Sequence, residues 1–339
     1  MTEQSEFQSR LAALVGQFPN RRVMVVGDVI ADQFVYGEIA RISREAPVMI
    51  LKYESTRTLP GGASNAASNV AALGAGVVLV GSIGRDQSGW SLLQELRARN
   101  VDTTGVITLK GHVTPTKVRI LAGSVHSTRQ QVIRIDREAK LDLPGEKIEL
   151  MLSRIRKHAD SCDAIIISDY DYGVICPPVI ELLRDIAKTR GIPISVDSRY
   201  RLNDFSGFTT ATPNESEVEE VFKNRNVAWP GIEKAGLELA GTLGLKALLI
   251  TRGAEGMILF EPAKETLSIP IVGGRDVVDV TGAGDTVIAT YTLALSSGAS
   301  FSEAAHLANH AGGLVVMKRG TATISADELL ASIRGGTGI

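Results

Sequence analysis

Asp279-Val280-Thr281-Gly282-Ala283-Gly284-Asp285 runs directly into the helical stretch Thr286 to Leu295, and the reading of this segment decides the rest. Gly282, Ala283 and Gly284 open that helix with almost no side chain. Their backbone N–H groups can therefore converge on an anion, and the helix dipole favours negative charge there. This is the build of a phosphate or oxyanion site. Asp285 then needs its own explanation, because a carboxylate beside an anion nest repels the ligand the nest would hold. Either it caps the helix, the common use of Asp at a helix start, or it takes a proton from a group bound next to the nest.

Upstream, short aliphatic runs alternate with helical stretches. Val23–Val26, Val77–Val80, Ala164–Ile167, Ile194–Val196 and Ala247–Ile250 are continuous in apolar character, as strands covered on both faces should be. Helical stretches near 88–99, 146–159, 178–190 and 231–243 lie between them. This βαβ pattern predicts an α/β fold with a largely parallel sheet flanked by helices, and such sheets bind ligands beyond the carboxyl ends of their strands. With no repeat and no composition break, the expectation is a single domain over about 20–330, after an N-terminal helical extension over 1–19. Two segments fit poorly. Residues 34–53 and 113–136 are rich in β-branched residues and arginine, and alternation puts Lys117 and Arg119 on one face. They predict a small separate sheet, serving as a lid, a subunit surface or both, unless the charges only protect strand edges.

Composition excludes other classes. The 339 residues are 44% hydrophobic and carry a formal charge of −2, so no basic field argues for nucleic acid or an anionic membrane. No apolar run approaches the ~20 residues of a membrane span. Cys162 and Cys176 lack the partners of a zinc site and read as small buried residues of a reduced, cytoplasmic protein.

A second glycine-rich stretch, Pro60-Gly61-Gly62-Ala63-Ser64-Asn65, also precedes a helical run. It reads either as backbone that approaches a ligand, with Asn65 binding it, or as a strand-to-helix turn with Asn65 capping. Asp28 and Asp32 follow the first strand and read as paired acceptors for a polyol, or as turn and cap residues.

Gly61-Gly62-x-x-Asn65 and Asp279-x-Thr281-Gly282-Ala283-Gly284-Asp285 together resemble the two signatures of the ribokinase-like, or PfkB, sugar kinases. Asn214-Glu215-Ser216-Glu217 is similar to the family's Asn-x-x-Glu, and Thr251-Arg252-Gly253-Ala254-Glu255-Gly256 to its nucleotide-side turn. The resemblance implies ATP and Mg²⁺ as cofactors, with K⁺ as a further candidate. It implies Asp285 as the base and the N–H groups of Gly282, Ala283 and Gly284 as the anion hole. Gly61, Gly62, Asn65, Asp28 and Asp32 would meet the sugar. Glu217, with Asn214, would arrange the Mg²⁺ water shell, and Thr251, Gly253 and Gly256 would line the nucleotide phosphates. Asn309 would lie at the adenine end, unless it is an ordinary helix-face polar residue. Asp279 and Thr281, with Gly320, match a monovalent-cation site, unless Asp279 merely secures its strand end.

Within the family the chain most resembles kinases acting on D-glycero-β-D-manno-heptose 7-phosphate in lipopolysaccharide core synthesis. Arg41–Val48, Ser168-Asp169-Tyr170 and Val278–Ile288 carry that likeness. Asp171 departs from it, standing where a small residue or lysine is expected. The implied reaction is phosphorylation of the C1 hydroxyl to give heptose 1,7-bisphosphate. Other sugar or sugar-phosphate kinases of the same fold, or a non-catalytic sugar or nucleotide sensor, are the alternatives. A phosphorylated sugar needs local cations, for which Lys117, Arg119, Arg134 and Arg44 are the candidates and Asp169 a further contact. Homodimerisation through the lid is expected. No His-x-Gly-His motif is present, so nucleotide attachment is expected of a separate nucleotidyltransferase.

Overall fold

The computed structural model describes residues 3–123, 129–138, 140–273 and 278–335. Its main sheet has nine strands in the order Leu267–Ile269, Met257–Phe260, Ala247–Thr251, Thr210–Ala211, Ile194–Ser198, Ala164–Asp169, Arg22–Gly27, Gly76–Gly84 and Asp102–Leu109. The seven strands from Ala247–Thr251 onward are parallel, and the first two form an antiparallel edge.

The apolar runs are continuous because helices cover both faces. Along the central strand, Val23 and Val25 pack into one core and Met24 and Val26 into the other. The first core also holds residues of the helices Ala63–Ala72, Ala283–Ser296 and Phe301–Val315, together with Leu11, Leu14 and Val15 of the N-terminal helix Glu3–Val15. The second is closed by Gly145–Ala159, Pro177–Arg190, Glu215–Asn224 and Ile232–Leu243. Helix Ala283–Ser296 buries every residue from Asp285 to Ala294, which explains why it carries no charged side chain after Asp285.

The two irregular segments do form a separate sheet. Its strands lie in the order Met49–Gly62, Val29–Ile42, Thr116–Gly123 and Gln130–Arg137. Residues 124–128, within the expected 113–136 segment, lie outside the described residues. Val29–Ile42 starts buried beside the main sheet and ends exposed. Its register sets Asp32 opposite Lys117 and Phe34 opposite Arg119, with Arg134 next across. One face of the small sheet thus hangs over the carboxyl ends of the main strands. The last strand is exposed along its whole length, including Ile133 and Ile135.

Gly27 sits where the sheets diverge. A Cβ there would run into the backbone carbonyl of Ser168 on the adjacent strand and lie 3.1 Å from Ala63 Cβ. Backbone on one side and helix on the other leave no flexible group to yield. We expect Gly27→Ala to cost about 2 kcal/mol or more in urea unfolding, while Gly145→Ala, whose Cβ meets nothing, stays within roughly 1 kcal/mol of wild type. Equal stability of the two variants would contradict this account of the central strand.

Candidate active site

A cavity of about 480 Å³ opens between the strand ends and the small sheet. Its wall takes Asp32, Gly61, Gly62, Lys117 and Arg119 from one side, and Asp169, Asp197, Arg199, Asn214, Glu217 and Thr251 from the strand ends. The floor is Thr281 to Asp285.

Gly282 is the N-cap of the floor helix, in the left-handed region at φ 78°. A side chain there would also meet the Asn65 amide nitrogen at 2.5 Å, whereas a Cβ on Gly284 would meet nothing. Gly282 is thus required by the protein's own packing, and Gly284 leaves room in the cavity. The Ala283 N–H donates to the Val280 carbonyl at 3.2 Å. Among the described residues no acceptor meets the N–H of Gly282 or Gly284, so the available donors are those two and not all three.

Asp285 caps nothing. Its Oδ2 accepts from Asn65 Nδ2 at 2.7 Å, and its buried Oδ1 has no hydrogen-bond partner among the described residues. The residue is 4% exposed. Burial pushes its carboxyl from the usual 3.8 up to about 7; the Asn65 hydrogen bond, the charge of Lys117 and the nearby Tyr170 hydroxyl oppose the rise, and the charge of Asp32 adds to it.

Several residues expected to meet a ligand are engaged within the protein, and some of them lie off the cavity wall. Asn65 is fully buried, off the cavity wall, and spends its amide on Asp285. Asp28 also lies off the wall: its carboxylate accepts from the backbone N–H of Tyr170, Tyr172 and Val174, with distances of 2.8 to 3.1 Å. Burial holds it at about 6 against those bonds. Gly61 and Gly62 do reach the cavity, and Cβ atoms on them would also crowd Asp32 Oδ2 at 3.0 Å and the Asp28 carbonyl at 2.8 Å. Asn309 is buried and donates to the Pro270 carbonyl at 2.7 Å, away from the cavity. Gly253 opens a 3₁₀ turn and Gly256 faces the Ile269 carbonyl, so neither touches the wall. Asn214 and Glu217 form a capping box, each side chain accepting from the other's N–H at 2.9 Å, and still border the cavity. Asp279 accepts from Thr281 N and Gly320 N, both at 2.9 Å, tying two loops together.

The cations divide in an unexpected way. Arg119 is neutralised by Asp32 at 2.5 Å. Arg134 pairs with Asp136 at 2.9 Å on the exposed strand, and Arg44 lies exposed in the small sheet's first loop; neither borders the cavity. Lys117 and Arg199 are the lining cations without a carboxylate partner among the described residues. Lys117 Nζ stands 5.3 Å from the Tyr170 ring centre and Arg199 stacks on Tyr200. Asp169 is held by Ser198 and Arg201 at 2.7 and 2.8 Å. The extra acid, Asp171, pairs with Lys140 at 2.8 Å and Arg201 at 3.4 Å, so it strengthens that network.

Arg199 and Asp197 were missed from sequence. Their signal was position, immediately after the apolar run Ile194–Val196, where a parallel strand meets its ligand edge. Asp197 has no hydrogen-bond partner among the described residues, and burial, then the charges of Glu217, Asp285 and Asp169, drive its carboxyl well up.

Residues 20–328 match the profile of the pfkB family carbohydrate kinases. The chain belongs to that family. It is similar to the bifunctional protein HldE of Caulobacter vibrioides, 41% identical over 95% of this chain and 65% of the relative. The bifunctional protein HldE of Pectobacterium atrosepticum is 40% identical over 94% and 64%. The chain thus spans a little under two thirds of the curated relatives it matches. In fold it is similar to Arabidopsis thaliana ribokinase complexed with ribose and ATP, with a TM-score of 0.68, 20% identity and coverage of 93% of this chain and 99% of that one. Escherichia coli phosphofructokinase-2 in complex with substrates and products gives 0.71, 20%, 93% and 99%.

In this pfkB family member the buried carboxylate of Asp285 costs stability. Its folded pKa is raised, so its favourable contribution is complete below about 3.8 and is lost as pH rises through about 7. Asp285→Asn removes that cost and keeps the bond from Asn65. We expect its Tm to exceed wild type by about 5 °C near pH 8, with the gain shrinking towards pH 5. A pH-independent difference, measured by calorimetry, would contradict the assignment.

Proposed function

We propose that the chain uses ATP to phosphorylate the C1 hydroxyl of D-glycero-β-D-manno-heptose 7-phosphate, giving heptose 1,7-bisphosphate for ADP-heptose and lipopolysaccharide core synthesis. One observation carries the reading: a single cavity brings together a buried carboxylate oxygen, two backbone N–H donors and two cations that have no partner among the described residues. Phosphoryl transfer asks for those parts and little covalent chemistry from the protein. The heptose itself rests on the HldE relatives, at 36–41% identity over most of this chain.

Asp285 Oδ1 takes the proton of the C1 hydroxyl as its oxygen attacks the γ-phosphorus. The bond from that phosphorus to the ADP oxygen breaks, and the N–H groups of Gly282 and Gly284 receive the charge on the moving phosphoryl group. The anomeric hydroxyl is the most acidic of the sugar's hydroxyls, which suits a carboxylate base. Lys117 and Arg199 would hold the 7-phosphate, with Arg119 steadied by Asp32 beside them.

Support for ATP comes from the ribokinase complex and from Asn214, Glu217 and Thr251 on the cavity wall. Among the described residues no group of three His, Cys, Asp or Glu side chains is arranged to hold a metal. Asp197 and Glu217 are hard oxygen donors at the wall, and they fit Mg²⁺ held mainly by water and phosphate oxygens. Bound there, Mg²⁺ would neutralise nucleotide phosphate charge. A K⁺ ion near Asp279 and Thr281 is part of the proposal, supported by the Escherichia coli phosphofructokinase-2 structure in complex with potassium. The exposed Ile133 and Ile135 of the small sheet support a homodimer. No described helix is long and apolar enough to cross a membrane; a cytoplasmic location is part of the proposal. A nucleotidyltransferase outside these residues would attach the nucleotide.

Asp285→Asn is expected to lower kcat about 10²–10⁴-fold with nucleotide affinity little changed; turnover near wild type would sink the base assignment. In steady-state kinetics, Lys117→Ala and Arg199→Ala should each raise KM for the 7-phosphate about tenfold or more, and change that for unphosphorylated heptose much less. Phosphorus NMR should place the new phosphate on C1. Equal kcat/KM for the two sugars, or phosphate on another carbon, would leave only the general sugar-kinase reading.

A further inference from the structure

Helix Ala63–Ala72 has no wet face: every residue from Ala63 to Val70 is buried. Its polar side chains must therefore find partners inside the protein. Asn65 and Asn69 find them in one chain of bonds that ends at Asp285. Thr286 Oγ1 donates to Asn69 Oδ1 at 2.8 Å. Asn69 Nδ2 donates to the Asn65 carbonyl at 3.0 Å and lies 3.4 Å from Asn65 Oδ1. Asn65 Nδ2 donates to Asp285 Oδ2 at 2.7 Å. Asn65, Asn69 and Thr286 are all completely buried.

The order of donors and acceptors is forced. A backbone carbonyl can only accept, so Asn69 must turn its NH₂ group towards Asn65 and its Oδ1 towards Thr286. That NH₂ then faces Asn65 Oδ1. The Asn65 amide is left with its own NH₂ on the side of Asp285. Reversing the Asn65 amide would set NH₂ against NH₂ at one end and a carbonyl oxygen against a carboxylate at the other. The absent side chain of Gly282 leaves the space that the correctly turned amide fills.

We propose that Asn69 and Thr286 are positioning residues, which orient the Asn65 amide so that Asp285 always meets an N–H donor and only its Oδ1 faces the acceptor hydroxyl. The inference rests on the reading of Asp285 as the base. Without the Thr286 hydroxyl, Asn69 Oδ1 is left buried with no donor, and a shift of Asn69 that relieves this loosens the NH₂ facing Asn65 Oδ1. A reversed Asn65 then presents its carbonyl to Asp285 and disfavours the ionised carboxylate. The other groups facing Asp285 are Asp32, Lys117 and Tyr170, with Asp197 coupled to it through charge. Among the described residues none of them hydrogen-bonds to the side chain of Asn69 or Thr286, so a change at the relay leaves their own bonds in place.

The test compares Thr286→Val, which keeps the shape and removes the hydroxyl, with Thr286→Ser, which keeps the hydroxyl. In Thr286→Val, kcat near pH 7 should fall about tenfold and the acidic limb of its pH profile should move up by about one pH unit. KM for sugar and for ATP should stay within roughly threefold. Thr286→Ser should recover both the rate and the limb. A Thr286→Val enzyme with lowered Tm but an unmoved limb, or a Ser variant that fails to recover it, would reduce the relay to packing. Asp285→Asn separates the two claims: if that variant stays active, the base assignment falls, and if it is inactive while Thr286→Val behaves as wild type, only the relay falls. Should Thr286→Val not fold, wild-type protein suffices. The Asn65 side-chain NH₂ resonances should be protected from exchange and shift as Asp285 titrates, and rapid exchange with no pH response would overturn the proposal.

Discussion

Everything around the cavity depends on keeping one carboxylate buried. Asp285 Oδ2 takes a hydrogen bond from Asn65, and among the described residues Oδ1 has no donor within ordinary hydrogen-bond geometry, although the Tyr170 hydroxyl lies near enough to favour the charged form. A carboxylate this buried is expensive to ionise, so it persists only where the surroundings are rigid. Here they are. The helix behind Asp285 is buried for ten successive residues, the helix that carries Asn65 is buried on all sides, and Gly282 lets the two approach closely. Burial raises the carboxyl's affinity for a proton, which suits the proposed role of accepting one from a hydroxyl.

Charge sets a second constraint on the same cavity. Asp285, Asp197 and Glu217 raise one another's affinity for protons or share its cause in burial. Arg119 is neutralised by Asp32, which leaves Lys117 and Arg199 to meet an anion. Burial depresses Lys117, and the neighbouring Arg199 and Arg119 add to that, while Asp32 restrains it. The acids and the two open cations stand within reach of one another's charge, Arg199 beside Asp197 and Glu217 and Lys117 beside Asp285. Such a mixed lining would let the proposed sugar phosphate and the nucleotide each find a cation while Asp285 stays available for a hydroxyl.

The sheet was readable from sequence because strands covered on both faces leave uninterrupted apolar runs such as Ala164–Ile167. Thr210–Ala211 was not, since two residues carry no period, and the antiparallel edge strands Met257–Phe260 and Leu267–Ile269 are short as well. At the site, the segment Gly282–Asp285 announces its chemistry because local backbone requirements are written in the glycines. Partnerships across the chain are not written anywhere local. Asn65 meets Asp285 across 220 positions and Asp32 meets Arg119 across 87, so a contact expected for a ligand became a contact within the protein. Asp28 looks like a polyol acceptor until the loop 170–174 folds onto it.

The most direct test of this account is a carbon-13 NMR titration of aspartate-labelled protein, with the Asp285→Asn spectrum subtracted to isolate the one carboxyl. The account predicts a resonance that titrates with a midpoint of about 7. A midpoint near the ordinary 3.8 would mean that Asp285 is solvated or fully hydrogen-bonded, and the idea of a buried base would be wrong.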